Sequence, residues 1–193
     1  GAYAVTDSDK IVLTFDQGYE NGFTAPILDT LKEKNVKAVF FLTGDYAKRN
    51  PELVKRMISE GHIIGNHGMA HASLPKLSDE EVREEIMSLH EYVNREYGYE
   101  MKYFRPPCGE YSEKSLAAVN ELGYTTLVWS FAYCDWNTDD QPEVNSALER
   151  VTSAAHCGAI YLLHSVSETN CTILPRAIDN IRAAGFEFGL PEV

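Results

Sequence analysis

Short apolar runs that do not alternate with polar residues recur along this chain, and helix-length amphipathic segments separate them. KIVLTF (10–15), VKAVFFL (36–42), HIIGNH (62–67), KYFRPP (102–107), YTTLVWSFA (124–132), GAIYLLH (158–164) and FEF (186–188) read as strands. A strand wet on one face alternates apolar and polar residues, whereas a strand covered on both faces does not. Segments 25–35, 50–61, 77–98, 112–123, 142–156 and 174–185 carry apolar residues at helical spacing. Ser78 with Glu81 three residues on marks a capping box, Asn50–Pro51 a helix start and Gly61 a helix end. This alternation requires parallel strands covered by helices. The expected fold class is α/β: a distorted, incomplete (β/α) barrel of about seven parallel strands, since 193 residues fall short of the about 250 of a full barrel. With no linker or low-complexity stretch, residues 1–193 are expected to form one domain.

Charge narrows the partners. The chain has 17 Lys and Arg against 29 Asp and Glu, a net charge of −12, and no basic cluster. Nucleic acid is therefore excluded as an expected partner. No apolar run approaches the about 18–20 residues that span a bilayer, and the opening GAYAVTDSDK reads as a trimmed start rather than a signal peptide. Cys108, Cys134, Cys157 and Cys171 form no CxxC pair and are expected to be free thiols, a Cys157–Cys171 bridge being the alternative weighed.

In parallel α/β folds, functional side chains collect at the carboxyl ends of strands. Those ends carry Asp16 and Gln17, then His67 and His71, Arg105, Asp135 and Trp136, and His164. His67 and His71 are four apart, so a helical turn would aim both imidazoles at one divalent ion. HxxxH alone is a weak signal; Asp16 at a neighbouring strand end turns it toward a metal site with an open position. His164 closes an apolar strand, and Asp135 is the carboxylate placed to orient and charge it. Two prolines after Arg105 stiffen its chain, and Asp16 is its expected partner. Trp136 and Leu162 read as pocket walls or equally as core. His62, His90 and His156 are assigned to a strand start, a helix surface and a helix C-terminus.

Taken together, TFDQ (14–17), HGMAH (67–71), RPPCG (105–109), DW (135–136) and LLH (162–164) resemble, in order, the five motifs of the polysaccharide deacetylases with the NodB-type domain, carbohydrate esterase family 4. GYENG (18–22) and the DW without an earlier aspartate, Ala132 standing in its place, resemble the branch of peptidoglycan N-acetylmuramic acid deacetylases of the PdaA type. The resemblance implies a metal-dependent de-N-acetylase on peptidoglycan glycan strands, producing a precursor of the muramic δ-lactam of spore cortex and acting outside the cytoplasm as a monomer. It implies Asp16 as general base toward the attacking water and His164 as general acid toward the departing amine. Arg105 would orient Asp16, and Asp135 would tune His164. His67 and His71, with Gln17, would hold a divalent ion, Zn or else Co or Mn. The Cys108 backbone N–H would face the oxyanion, and Trp136 and Leu162 the acetyl group.

Three departures stand out. Gln17 occupies the position where the wider family has a second aspartate, and Gly68 and Ala72 replace the usual hydroxyl residue and proline around the histidines. A neutral amide and an unbraced loop predict weaker metal binding. De-N-acetylation of N-acetylglucosamine polymers is the nearest alternative. A carbohydrate-binding pseudoenzyme is the alternative of another class, against which the retention of Asp16, Arg105, Asp135 and His164 argues.

Overall fold

The computed structural model describes residues 1–192. Seven strands, all parallel, form one sheet: β1 (Ala2–Tyr3), β2 (Val12–Gln17), β3 (Ala38–Leu42), β4 (Ile63–Asn66), β5 (Tyr103–Phe104), β6 (Thr125–Leu127) and β7 (Ile160–His164). Their spatial order is β1-β6-β5-β4-β3-β2-β7. Seven helices accompany them: α1 (Thr24–Glu33), α2 (Gly44–Arg49), α3 (Pro51–Ser59), α4 (Asp79–Tyr97), α5 (Glu113–Glu121), α6 (Val144–Ser153) and α7 (Glu168–Ala183). Among the described residues no helix is long and apolar enough to cross a membrane.

The sheet curls into an incomplete barrel that closes without a full ladder. Beyond β6 the chain makes a parallel bridge, Phe131 to Tyr161 on β7, and the segment after β1 adds an antiparallel bridge, Val5 to Ala159. Val12, Val39, Phe41, Leu127 and Ile160, all from strands, make a small inner cluster; the larger core lies between sheet and helices. β2 and β3 are buried at every position, which is why their sequences show no alternation.

Several boundaries differ from expectation. The strand expected over 124–132 ends at Leu127, because the Arg105 side chain takes the Leu127 and Val128 carbonyls. The expected strand at 186–188 is reduced to one bridge, Ile11 to Phe188, and the seventh strand is instead β1. Asn50 does not cap α3 with its side chain; its amide donates to the Tyr46 carbonyl at 3.1 Å, ending α2, a helix absent from the sequence reading. The helix expected over 174–185 begins six residues earlier, at Glu168 behind the Ser167 cap, so that Pro175 lies inside α7. The Ser78–Glu81 capping box is present, and all four cysteines are free.

Candidate active site

Parallel register converts the strand ends into a site. Asp16 is the register partner of His164 on β7, and Asn66 that of Phe104 on β5, which sets His67 beside Arg105. These ends open on a cavity of about 680 Å³. Of the ten side chains singled out in the sequence, Asp16, His67, His71, Cys108, Trp136, Leu162 and His164 line it. Arg105, Asp135 and Gln17 stand behind that wall, each 0% exposed.

Arg105 is held from every side. Its Nη1 donates to Asp16 Oδ1 at 2.8 Å and to Thr14 Oγ1 at 2.6 Å. Nε and Nη2 donate to the Leu127 and Val128 carbonyls, and the guanidinium lies 4.2 Å from the centre of the Phe41 ring. A side chain at Gly65 would run into that ring. Burial alone would push the Asp16 pKa up; the Arg105 guanidinium above all, by charge and hydrogen bond, with His164 adding to it, reverses this and holds it below the usual carboxylate range. Asp16 is thus kept ionised and ready to accept a proton.

His164 is built the opposite way. Asp135 Oδ1 lies 2.7 Å from His164 Nδ1, and Asp135 Oδ2 accepts the His164 backbone N–H at 2.8 Å and the Asn170 amide at 2.5 Å. Asn170 sits in the first turn of α7. Burial pulls the His164 pKa down, but the hydrogen bond and charge of Asp135, with Asp16 adding to them, raise it above the ordinary value. Trp136, 52% exposed, stands edge-on to the imidazole with ring centres 5.8 Å apart.

His67 is held neutral. His67 Nδ1 donates to the Arg105 carbonyl at 2.8 Å, which leaves Nε2 with its lone pair. That nitrogen is 3.2 Å from His71 Nε2 and 3.5 Å from Asp16 Oδ2. Burial depresses the His67 pKa to about 4, so it does not protonate near neutrality. Among the described residues no three His, Cys, Asp or Glu side chains form a ready metal cluster. Gln17 lies off the cavity wall: its amide nitrogen donates to Ser165 Oγ at 2.5 Å, and its buried Oε1 has no partner among the described residues. The His67 and His71 imidazoles, with Nε2 atoms 3.2 Å apart at the cavity wall and Asp16 Oδ2 beside them, are a donor set that fits a divalent cation, and Gln17 lies outside it.

Sequence reasoning missed part of the wall and its supports. Trp129, Tyr133 and Cys134 line the cavity because the chain leaves the β6 ladder early. Tyr19 lines it too, on a GYENG loop anchored at both ends. Glu20 accepts from the Gly22 backbone N–H at 2.7 Å and from Thr24 Oγ1 at 2.5 Å, capping α1, whose N-cap Phe23 makes no side-chain cap bond. The Asn21 amide donates to the Val166 carbonyl at 3.0 Å. Only the capping potential of Glu20 was visible locally. The remaining histidines lie apart from this wall: His62 accepts from the Ala38 N–H, His90 meets the Tyr124 hydroxyl, and His156, past the end of α6, meets Ser130.

The family model for polysaccharide deacetylase matches residues 4–127. The chain belongs to the polysaccharide deacetylase family. It is 42% identical to the peptidoglycan-N-acetylmuramic acid deacetylase PdaA of Bacillus subtilis, over 95% of this chain and 70% of that protein. A peptidoglycan-N-acetylglucosamine deacetylase of Bacillus cereus is 36% identical over 93% of this chain and 66% of its own length. The solved structure of B. subtilis PdaA, a family 4 carbohydrate esterase, superposes with a TM-score of 0.94 at 41% identity, covering 98% of this chain and 82% of that one. The family expected from the five motifs and the incomplete parallel barrel expected from the alternation of strands and helices are borne out.

Proposed function

We propose that this polysaccharide deacetylase removes the N-acetyl group of N-acetylmuramic acid in peptidoglycan glycan strands, with residues 1–193 acting as one catalytic domain. The observation that carries the reading is the opposed pair at matched positions of β2 and β7. Asp16 is stabilised as an anion by Arg105, and His164 is stabilised as a cation by Asp135, both facing one cavity. Amide hydrolysis needs both groups, since the attacking water must lose a proton and the amine must gain one before it leaves. Asp16 takes the first proton, and His164 supplies the second. The Cys108 turn presents a backbone N–H to the developing oxyanion, and Leu162 and Trp136 hold the acetyl methyl.

His67 and His71 would hold a divalent ion, Zn with Co or Mn as alternatives; Gln17, expected as a further ligand, packs against Ser165 off the cavity wall and would stand outside that set. Such an ion supplies Lewis-acid polarisation and lowers the pKa of water toward about 7. The muramic substrate is supported by the likeness to PdaA and by the GYENG loop on the cavity wall. The amine released can condense with the muramic lactyl carboxyl, with loss of water, toward the δ-lactam of spore cortex. A peptidoglycan substrate puts the site of action outside the cytoplasm, and we assign a monomer.

Acetate release from peptide-free glycan strands tests the proposal, with and without added Zn, Co or Mn. Release from muramic acid residues is expected only with metal. Release from N-acetylglucosamine oligomers alone would reassign the substrate, and no release with any metal would remove the enzymatic reading. The pH dependence carries a second expectation. His164 donates only while protonated, and Asp135 raises its pKa, so kcat should fall as pH climbs through that raised value. Asp135→Asn removes the raising charge and should shift the alkaline limb of kcat to lower pH. An alkaline limb unmoved in Asp135→Asn would show that His164 is not the acid.

A further inference from the structure

His71 has φ 57, in the left-handed region that non-glycine residues occupy only when their surroundings hold them there. The support comes from α4. Glu85 Oε1 accepts the backbone N–H of Ala70 at 2.8 Å and of Ala72 at 3.0 Å, the residues on either side of His71. The Glu85 backbone carbonyl accepts the Met69 N–H at 3.0 Å. One residue therefore clamps the loop before and after the second imidazole, and it does so from a side chain only 8% exposed.

Gly68 is the counterpart of this clamp. Its φ is +84, and a Cβ there would lie 2.5 Å from Glu85 Oε1, so a side chain at 68 and the clamping carboxylate compete for one volume. The hydroxyl missing from position 68 is not simply lost, because a carboxylate from a different element braces the loop from the same space. We propose that Glu85 is the positioning residue that sets His71 beside His67, and that it does so as a matched pair with Gly68. This rests on His67 and His71 being a metal-ligating pair; Glu85 touches neither the ion nor the substrate, and acts through the backbone of the loop.

The test reads metal binding directly. Zn(II) affinity of the metal-free protein is measured by competition with a chromophoric chelator, and the visible absorption of the Co(II) form reports ligand geometry. Glu85→Ala should weaken Zn(II) binding about 10–100-fold, the usual cost of losing a group that orients a ligand, and alter the Co(II) spectrum. Glu85→Gln keeps an oxygen able to accept both N–H groups and should restore affinity and spectrum toward wild type. Gly68→Ser, which approaches the same contact from the loop side at a φ of +84, should weaken binding on its own.

Wild-type Zn(II) affinity and Co(II) spectrum in Glu85→Ala, with only a lowered Tm, would overturn the assignment and leave Glu85 a helix-packing residue. A Glu85→Gln protein as weak as Glu85→Ala, or a Gly68→Ser protein with wild-type Zn(II) affinity, would overturn it as well. If Glu85→Ala does not fold, the Gly68→Ser and Glu85→Gln results decide. A wild-type protein that binds neither ion would overturn the metal reading itself, an outcome distinct from the others.

Discussion

Asp16→Asn is expected to lower kcat by about 10²–10⁴-fold, the range by which a positioned acid or base accelerates proton transfer. The substitution is nearly isosteric. It leaves Arg105 Nη1 an oxygen to donate to and leaves the His67–His71 pair untouched, so zinc binding should persist. What disappears is the anion that takes the proton from water. Asn also withdraws the counter-charge from a fully buried guanidinium, so the variant should melt earlier, and turnover must be measured well below its Tm. Acetate release within a few fold of wild type, from a folded protein, would mean that the proton goes elsewhere and that the carboxylate only anchors Arg105.

The legibility of this site follows from where its information resides. Asp16, His67, Arg105, Asp135 and His164 each stand at or just beyond the end of an apolar run, and a parallel sheet brings all such ends to one edge, so local pattern was enough to gather them. The pleat was harder to see. Asp16 and Gln17 are adjacent in sequence and read as base and metal ligand of one site, but successive strand residues face opposite sides. Asp16 opens on the cavity while Gln17 packs against Ser165. Features set by distant partners left no local trace. The early end of β6 depends on a guanidinium from residue 105, and the strained His71 depends on a carboxylate from α4. The helix expected over 174–185 falls short at its start: α7 runs from Glu168 through Pro175, and its buried inner face extends back to Thr169 and Asn170.

Arg105→Leu should be the most destabilising of these changes. Breaking a buried ion pair from one side strands the other charge and costs about 3–5 kcal/mol, a fall in Tm of roughly 6–20 °C for a chain of this size. Here the loss also uncovers the Leu127 and Val128 carbonyls and the Thr14 hydroxyl. The double variant Asp16→Leu/Arg105→Leu separates these contributions. Removing the stranded anion should make it more stable than Arg105→Leu alone, since paired replacement by apolar side chains is often neutral or better, while the two exposed carbonyls keep it below wild type. A double variant less stable than the single one would mean that Asp16 finds its stabilisation elsewhere in the cavity. Neither variant should release acetate. The cation that lets a buried carboxylate sit ionised is the one that keeps it a base, so the chain cannot relax the cost of that buried pair without losing the proton acceptor.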